Sequence, residues 1–117
     1  MITSDMGKGL DVCLGIDWDD TASAFPEALC VLVSRFTRCV IITLNDDITA
    51  KSACELLKIP GVEIEVCPYS RQDFSAWKVE MCRKHEVSLM IDDDKDIIQA
   101  CEAAGIPALW SGVPTWR

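Results

Sequence analysis

Val12-Cys13-Leu14-Gly15-Ile16-Asp17-Trp18-Asp19-Asp20-Thr21 runs from five largely apolar residues straight into an acidic turn. A short apolar run bounded by turn formers reads as a buried strand, here ending at Asp17. Residues at i and i+2 of a strand share a face, so Asp17 and Asp19 are expected to point into one space unless the turn rotates one of them. Crowded carboxylates repel, and the repulsion is relieved by a cation, a shared proton or solvation. A solvated acidic turn is the plain alternative, because Asp is a good turn former.

Downstream, the same alternation of short apolar and longer amphipathic segments repeats. Strands are expected at residues 12–16, 39–44, 62–66, 88–91 and 107–110, and helices at about 25–36, 48–58, 74–84 and 96–104. Asn45, Asp46 or Asp47 is a candidate cap for the second helix and Asp73 for the third, with Gly61 and Gly105 as stop signals after the second and fourth. Strand and helix in alternation with short connections predict an α/β fold, a three-layer Rossmann-like open sheet of about five parallel strands with helices on both faces. Ligands of such sheets bind beyond the carboxyl ends of the strands. Asp17, Thr43 and Asp92 all fall at that edge.

The chain of 117 residues is the length of one domain, read as residues 1–117 with its core at about 11–110 and peripheral termini. No apolar stretch approaches the roughly 20 residues of a membrane span, and Met1-Ile2-Thr3-Ser4-Asp5 lacks the regions of a secretory signal. A soluble, cytoplasmic protein is expected. Seven cysteines, no two closer than nine positions, leave no CxxC metal or redox pair and read as buried thiols in a reducing compartment. Gly7-Lys8-Gly9 lacks the spacing of a phosphate loop. A net charge of -8 argues against a nucleic-acid-binding or anionic-membrane-binding surface, and leaves nucleic acid only as a substrate.

Four polar elements follow one another in order: Val12 through Thr21; Val40-Ile41-Ile42-Thr43; Lys78 in the helix before the fourth strand; and Leu89-Met90-Ile91-Asp92-Asp93-Asp94-Lys95-Asp96. Together they resemble the haloacid dehalogenase superfamily, whose members are mostly magnesium-dependent phosphatases working through an aspartyl-phosphate. The resemblance spans about residues 11–110 and implies a Mg2+-dependent phosphohydrolase acting on a phosphomonoester. It implies Asp17 as nucleophile, Asp19 as general acid and base, and Thr43 and Lys78 as phosphoryl-stabilising groups. It implies magnesium held by Asp17, Asp19 through its backbone carbonyl, and an acidic side chain of the last cluster, Asp92 or Asp93, with Asp96 also open as a ligand. The run Asp92 to Asp96 also reads as a helix amino terminus favoured by the macrodipole, a role for Asp94 or Asp96. Asp20 departs from the Gly usual after the second Asp of the motif.

Each of these residues has an ordinary reading as well. Thr43 alone is a strand-end turn residue, Lys78 on an amphipathic helix is a surface lysine, and His85 reads as a surface residue late in its helix. Trp18 either walls a pocket or packs beneath it. About four residues separate Thr21 from Pro26, which leaves no room for the flap and cap of larger family members. An exposed site admits a small or a macromolecular phosphorylated substrate, or is closed by another subunit of an oligomer. Two other functions stay open at this stage: a catalytically silent binding module on the same fold, and a receiver-like phospho-accepting signalling domain.

Overall fold

The computed structural model describes residues 12–59 and 61–112. Residues 1–11, which include the Gly7-Lys8-Gly9 segment, lie outside them, as do Pro60 and the closing residues with Trp116. The strands are β1 (Cys13–Ile16), β2 (Arg38–Thr43), β3 (Glu63–Val66), β4 (Val87–Asp92) and β5 (Ala108–Trp110), and the helices are α1 (Pro26–Val33), α2 (Ala50–Leu57), α3 (Phe74–Lys84) and α4 (Lys95–Ala103). All strand pairings are parallel, in the order β3-β2-β1-β4-β5. The fold is a Rossmann-like α/β sheet, as the alternation of apolar and amphipathic segments predicts.

The strand sequences explain why helices cover both faces. Leu14, Ile16, Cys39, Ile41 and Ile91 point to one side, into a core with Leu29 and Val33 of α1 and Ala53 and Leu57 of α2. Cys13, Val40, Ile42 and Met90 point to the other, against Trp77 and Cys82 of α3 and Ile97 and Cys101 of α4. A strand buried on both faces has no polar alternation, which is why the central segments read as continuous apolar runs. At Gly15 a side chain would meet Met90 Sδ at 2.9 Å and Val87 Cγ1 at 3.0 Å, so only the smallest residue fits where β1 and β4 lie side by side.

Local signals place the helix ends. Thr49 caps α2 by accepting from Ser52 N–H, with the Ser52 hydroxyl reciprocating, rather than Asn45, Asp46 or Asp47 as the sequence suggests. That helix stops on Lys58, in the left-handed region at φ 56°, three residues before Gly61. Asp73 caps α3 through Ala76 N–H as expected. Gly105, at φ 79°, follows α4 as expected. No disulfide joins any of the seven cysteines, all of which lie among the described residues, and burial pushes the Cys39 thiol up to about 12. Among the described residues no helix is long and apolar enough to cross a membrane.

In this strand order the chain moves outward from β1 through β2 to β3, then returns to β4 on the opposite side of β1. Such a reversal opens a crevice between the carboxyl ends of β1 and β4, and doubly wound folds bind ligands there. Asp17 directly follows β1, and Asp92 is the last residue of β4.

Candidate functional site

Asp17 continues the β1–β4 ladder by donating its N–H to the carbonyl of Ile91 at 2.9 Å, which fixes its side chain at the mouth of the crevice. Beyond it the backbone turns sharply. Asp19 is extended and Asp20 left-handed at φ 60°, a conformation Asp tolerates better than most residues and Gly best of all. The turn separates the two carboxylates that strand geometry would have placed together: Asp17 is buried at 6% exposure, whereas Asp19 is exposed. Trp18 settles beneath, half-buried against the α1 and α2 core.

Lys78 lies in the second turn of α3 and is buried at 2% exposure, not on the surface. Its Nζ donates to Asp17 Oδ1 at 2.8 Å and to Asp92 Oδ2 at 2.6 Å. Burial works against its charge, but the two carboxylates outweigh that and hold its pKa above the ordinary lysine value. Burial lifts Asp17 to about 7; Lys78 opposes the rise, and Asp92 and Asp93 add to it. Asp92 is raised by burial as well, against the pull of Lys78 and of the Asp94 N–H that its Oδ1 accepts at 2.9 Å. Both carboxyls are raised because burial outweighs the counter-charge that Lys78 supplies.

Asp93 completes a cluster in which one oxygen from each of Asp17, Asp92 and Asp93 lies within 4.8 Å of the others. Three carboxylates stand against one ammonium, and every donor is a hard oxygen. That charge deficit and donor set fit a divalent cation such as magnesium. The carboxylate of Asp19 is not part of the cluster, a correction to placing its side chain with Asp17. Asp94 and Asp96 are also outside it: Asp94 caps α4 by accepting from Asp96 N–H, so Asp96 belongs to the first turn of the helix.

Thr43 is buried at the end of β2, on the same sheet edge, and its hydroxyl accepts from Asn45 N–H at 3.0 Å. A hydroxyl that accepts one bond still has a proton to donate. The Asn45 amide in turn donates to Asp19 Oδ1 at 3.2 Å, so Asn45 links the ends of β2 and the turn. Thr21, the last residue of the first motif, gains its partners in the structure, and Ser111 emerges only there. Thr21 Oγ1 donates to Asp17 Oδ2 at 3.4 Å and exchanges a 2.8 Å bond with Ser111 Oγ, just past β5. Ser111 carries no sequence signal, because nothing in a strand-end serine marks it as the neighbour of a residue 90 positions earlier.

His85 is buried between Glu65, at 2.6 Å from Nε2, and Glu63, at 3.2 Å from Nδ1, both on β3. This corrects the surface reading: it ties the end of α3 to the edge strand. It stands with Lys84, 2.8 Å from Glu65, outside the carboxylate cluster.

No family model matches the chain, and no curated protein matches it. Among solved structures, the chain is similar to the crystal structure of phosphoribosylglycinamide formyltransferase from Streptococcus pneumoniae TIGR4, at 14% identity and a TM-score of 0.50. The match covers 80% of this chain and 53% of that one, so the chain spans about half the length of the neighbour. At that identity the likeness is one of fold.

Proposed function

We propose that the chain is a magnesium-dependent phosphohydrolase of the haloacid dehalogenase type, cleaving a phosphomonoester through an aspartyl-phosphate on Asp17. The observation that carries this reading is the buried ammonium of Lys78 bridging Asp17 and Asp92 at the β1–β4 crevice. A lysine buried for packing alone does not require two carboxylates at a ligand-binding edge, beside a third.

Asp17, Asp92 and Asp93 would hold the cation, which when bound supplies neutralising charge between an anionic nucleophile and an anionic phosphate. Binding favours the ionised carboxylates and releases the protons that burial otherwise retains. An ionised Asp17 oxygen attacks phosphorus; the oxygen–phosphorus bond to the alcohol breaks, and Asp19 gives that alkoxide its proton. Asp19 then takes a proton from water attacking the acyl-phosphate, which returns Asp17 and frees phosphate. Lys78 and the Thr43 hydroxyl stabilise the spread charge on the transferring oxygens. Thr21 holds the second oxygen of Asp17, orienting the carboxylate for attack. Asp19 reaches the leaving oxygen by a side-chain rotation away from Asn45, which its exposure permits.

The strand order bears on the receiver-like alternative. Receiver domains share the 2-1-3-4-5 order of flavodoxin-like folds, with a central third strand. Here β3 is an edge strand ending in Val66-Cys67-Pro68. The silent-module alternative turns on chemistry. Hydrolysis of p-nitrophenyl phosphate that requires magnesium and stops with EDTA is the expected result, and its absence in folded, magnesium-loaded protein contradicts the reading.

A further inference from the structure

The described surface carries one aromatic residue that is exposed yet held from three directions. Trp110, the last residue of β5, is 36% exposed. Its indole Nε1 donates to the backbone carbonyl of Asp93 at 2.7 Å, and Lys95 Nζ lies 4.4 Å from its ring centroid. Gly112 passes so close that a Cβ there would stand 2.2 Å from Nε1. An exposed ring normally loses rotamer entropy for no return when it is fixed. This one is tethered to Asp93, whose carboxylate belongs to the cation cluster.

Trp110 and Phe25, itself 44% exposed, line one open cleft of about 680 Å³ together with Asp20, Asp93, Lys95 and Ser111. They also line a smaller, more apolar hollow of about 280 Å³, which reaches down to Thr21 and Ile91. An apolar cavity of about 150 Å³ accommodates a benzene ring. Both spaces therefore have room for a planar ring; the larger is lined by Asp93 of the carboxylate cluster, and the smaller by Thr21, which holds Asp17. Three acidic residues, Asp20, Asp93 and Asp94, border the larger cleft against Lys95 alone, which disfavours a second anionic group on the part of the ligand lying there.

We infer that this cleft receives the leaving group of the substrate, and that the leaving group carries an uncharged planar aromatic ring packed against Trp110 and Phe25. The inference rests on the phosphohydrolase reading and adds the class of substrate. Aromatic contact and ring burial, not hydrogen bonding, set the preference.

The test compares two esters with the same chemistry at phosphorus. 2-Phenylethyl phosphate and n-propyl phosphate both release primary alkoxides of similar basicity, so the ring is the main difference between them. The expected kcat/KM ratio is about tenfold or more in favour of the ring, falling toward unity in Phe25→Ala and Trp110→Ala and largely kept in Trp110→Phe. The ratio is internal to each variant, so a general loss of activity does not imitate it. Hydrolysis of both esters at equal efficiency overturns the inference and leaves the phosphohydrolase reading standing. If neither ester nor p-nitrophenyl phosphate is hydrolysed, that reading fails; whenever neither ester is hydrolysed, titration of the indole N–H resonances with 2-phenylethylphosphonate and propylphosphonate decides for the cleft. Tighter binding of the phenyl compound that moves the Trp110 resonance supports it; equal binding overturns it. Dimerisation abolished by Phe25→Ala with the ratio unmoved also overturns it, because the patch then serves a second copy of the chain.

Discussion

Lys78 is the residue on which the site's electrostatics depend. Two buried carboxylates share its single ammonium, and in the metal-free protein burial leaves Asp17 at about 7. A carboxyl raised in this way keeps a proton in the native state that the unfolded chain has released. It therefore stabilises the metal-free fold in acid, and the contribution is lost as pH rises from about 4 through about 7. Lys78→Met removes the compensating charge and leaves two unpaired carboxylates buried. We expect it to destabilise the metal-free protein by about 3–5 kcal/mol at pH 8, and by less at pH 5, below the value of about 7 to which burial lifts Asp17. Urea melts in EDTA at the two pH values check this; an equal loss at both contradicts the assignment of charge.

Residue identity in the sequence pointed to Asp17, Asp92, Asp93 and Lys78, and the structure brings these four together. Their burial was not legible, since a lysine on an amphipathic helix looks the same whether its stem runs to solvent or to a carboxylate. Asp19 was misplaced because the strand rule of alternate faces ends where the backbone turns, and the left-handed Asp20 does the turning. His85 was misread because its partners, Glu63 and Glu65, lie on a distant strand.

At the scale of elements, the sheet's centre is a close approach of β1 to β4. Gly15 pairs with Met90, and a methyl group there would press on Met90 and on Val87, whose branched side chain has little freedom to yield. Gly15→Ala is expected to cost about 1–3 kcal/mol of stability, measured as a lower urea midpoint with an unchanged slope. A neutral substitution would mean that β1 and β4 are farther apart than described. Among the described residues, all five strands and the four α-helices were legible from apolar runs and amphipathic spacing, with ends off by no more than three residues. The cap of α2 was the instructive miss: three acidic or amide residues crowd positions 45–47, yet Thr49 and Ser52 form the reciprocal pair, because the helix starts only at Ala50. Asn45 is committed instead to Thr43 and Asp19.

At the scale of the whole molecule, topology assembles the candidate site. The reversal of strand order at β1 and β4 brings residues 17, 78 and 92 into hydrogen-bond contact, and the parallel sheet puts Thr43 and Ser111 at the same edge. Strand order was not legible residue by residue, although parallel α/β architecture was, because pairing depends on the faces that helices cover. In the proposed function this edge turns Asp17 into a nucleophile at phosphorus. Asp19→Asn removes the group proposed to activate water while sparing attack on a substrate with a good leaving group, such as p-nitrophenyl phosphate. General base assistance contributes on the order of 100- to 10,000-fold, so the second step should lag and the covalent species accumulate. Rapid acid quench of Asp19→Asn with magnesium and that substrate, followed by peptide mass spectrometry, should find one added phosphoryl group on the peptide containing Asp17, and none in the Asp17→Asn variant. A label on a cysteine or on His85, or no label while the wild-type protein turns over, contradicts an aspartyl-phosphate on Asp17.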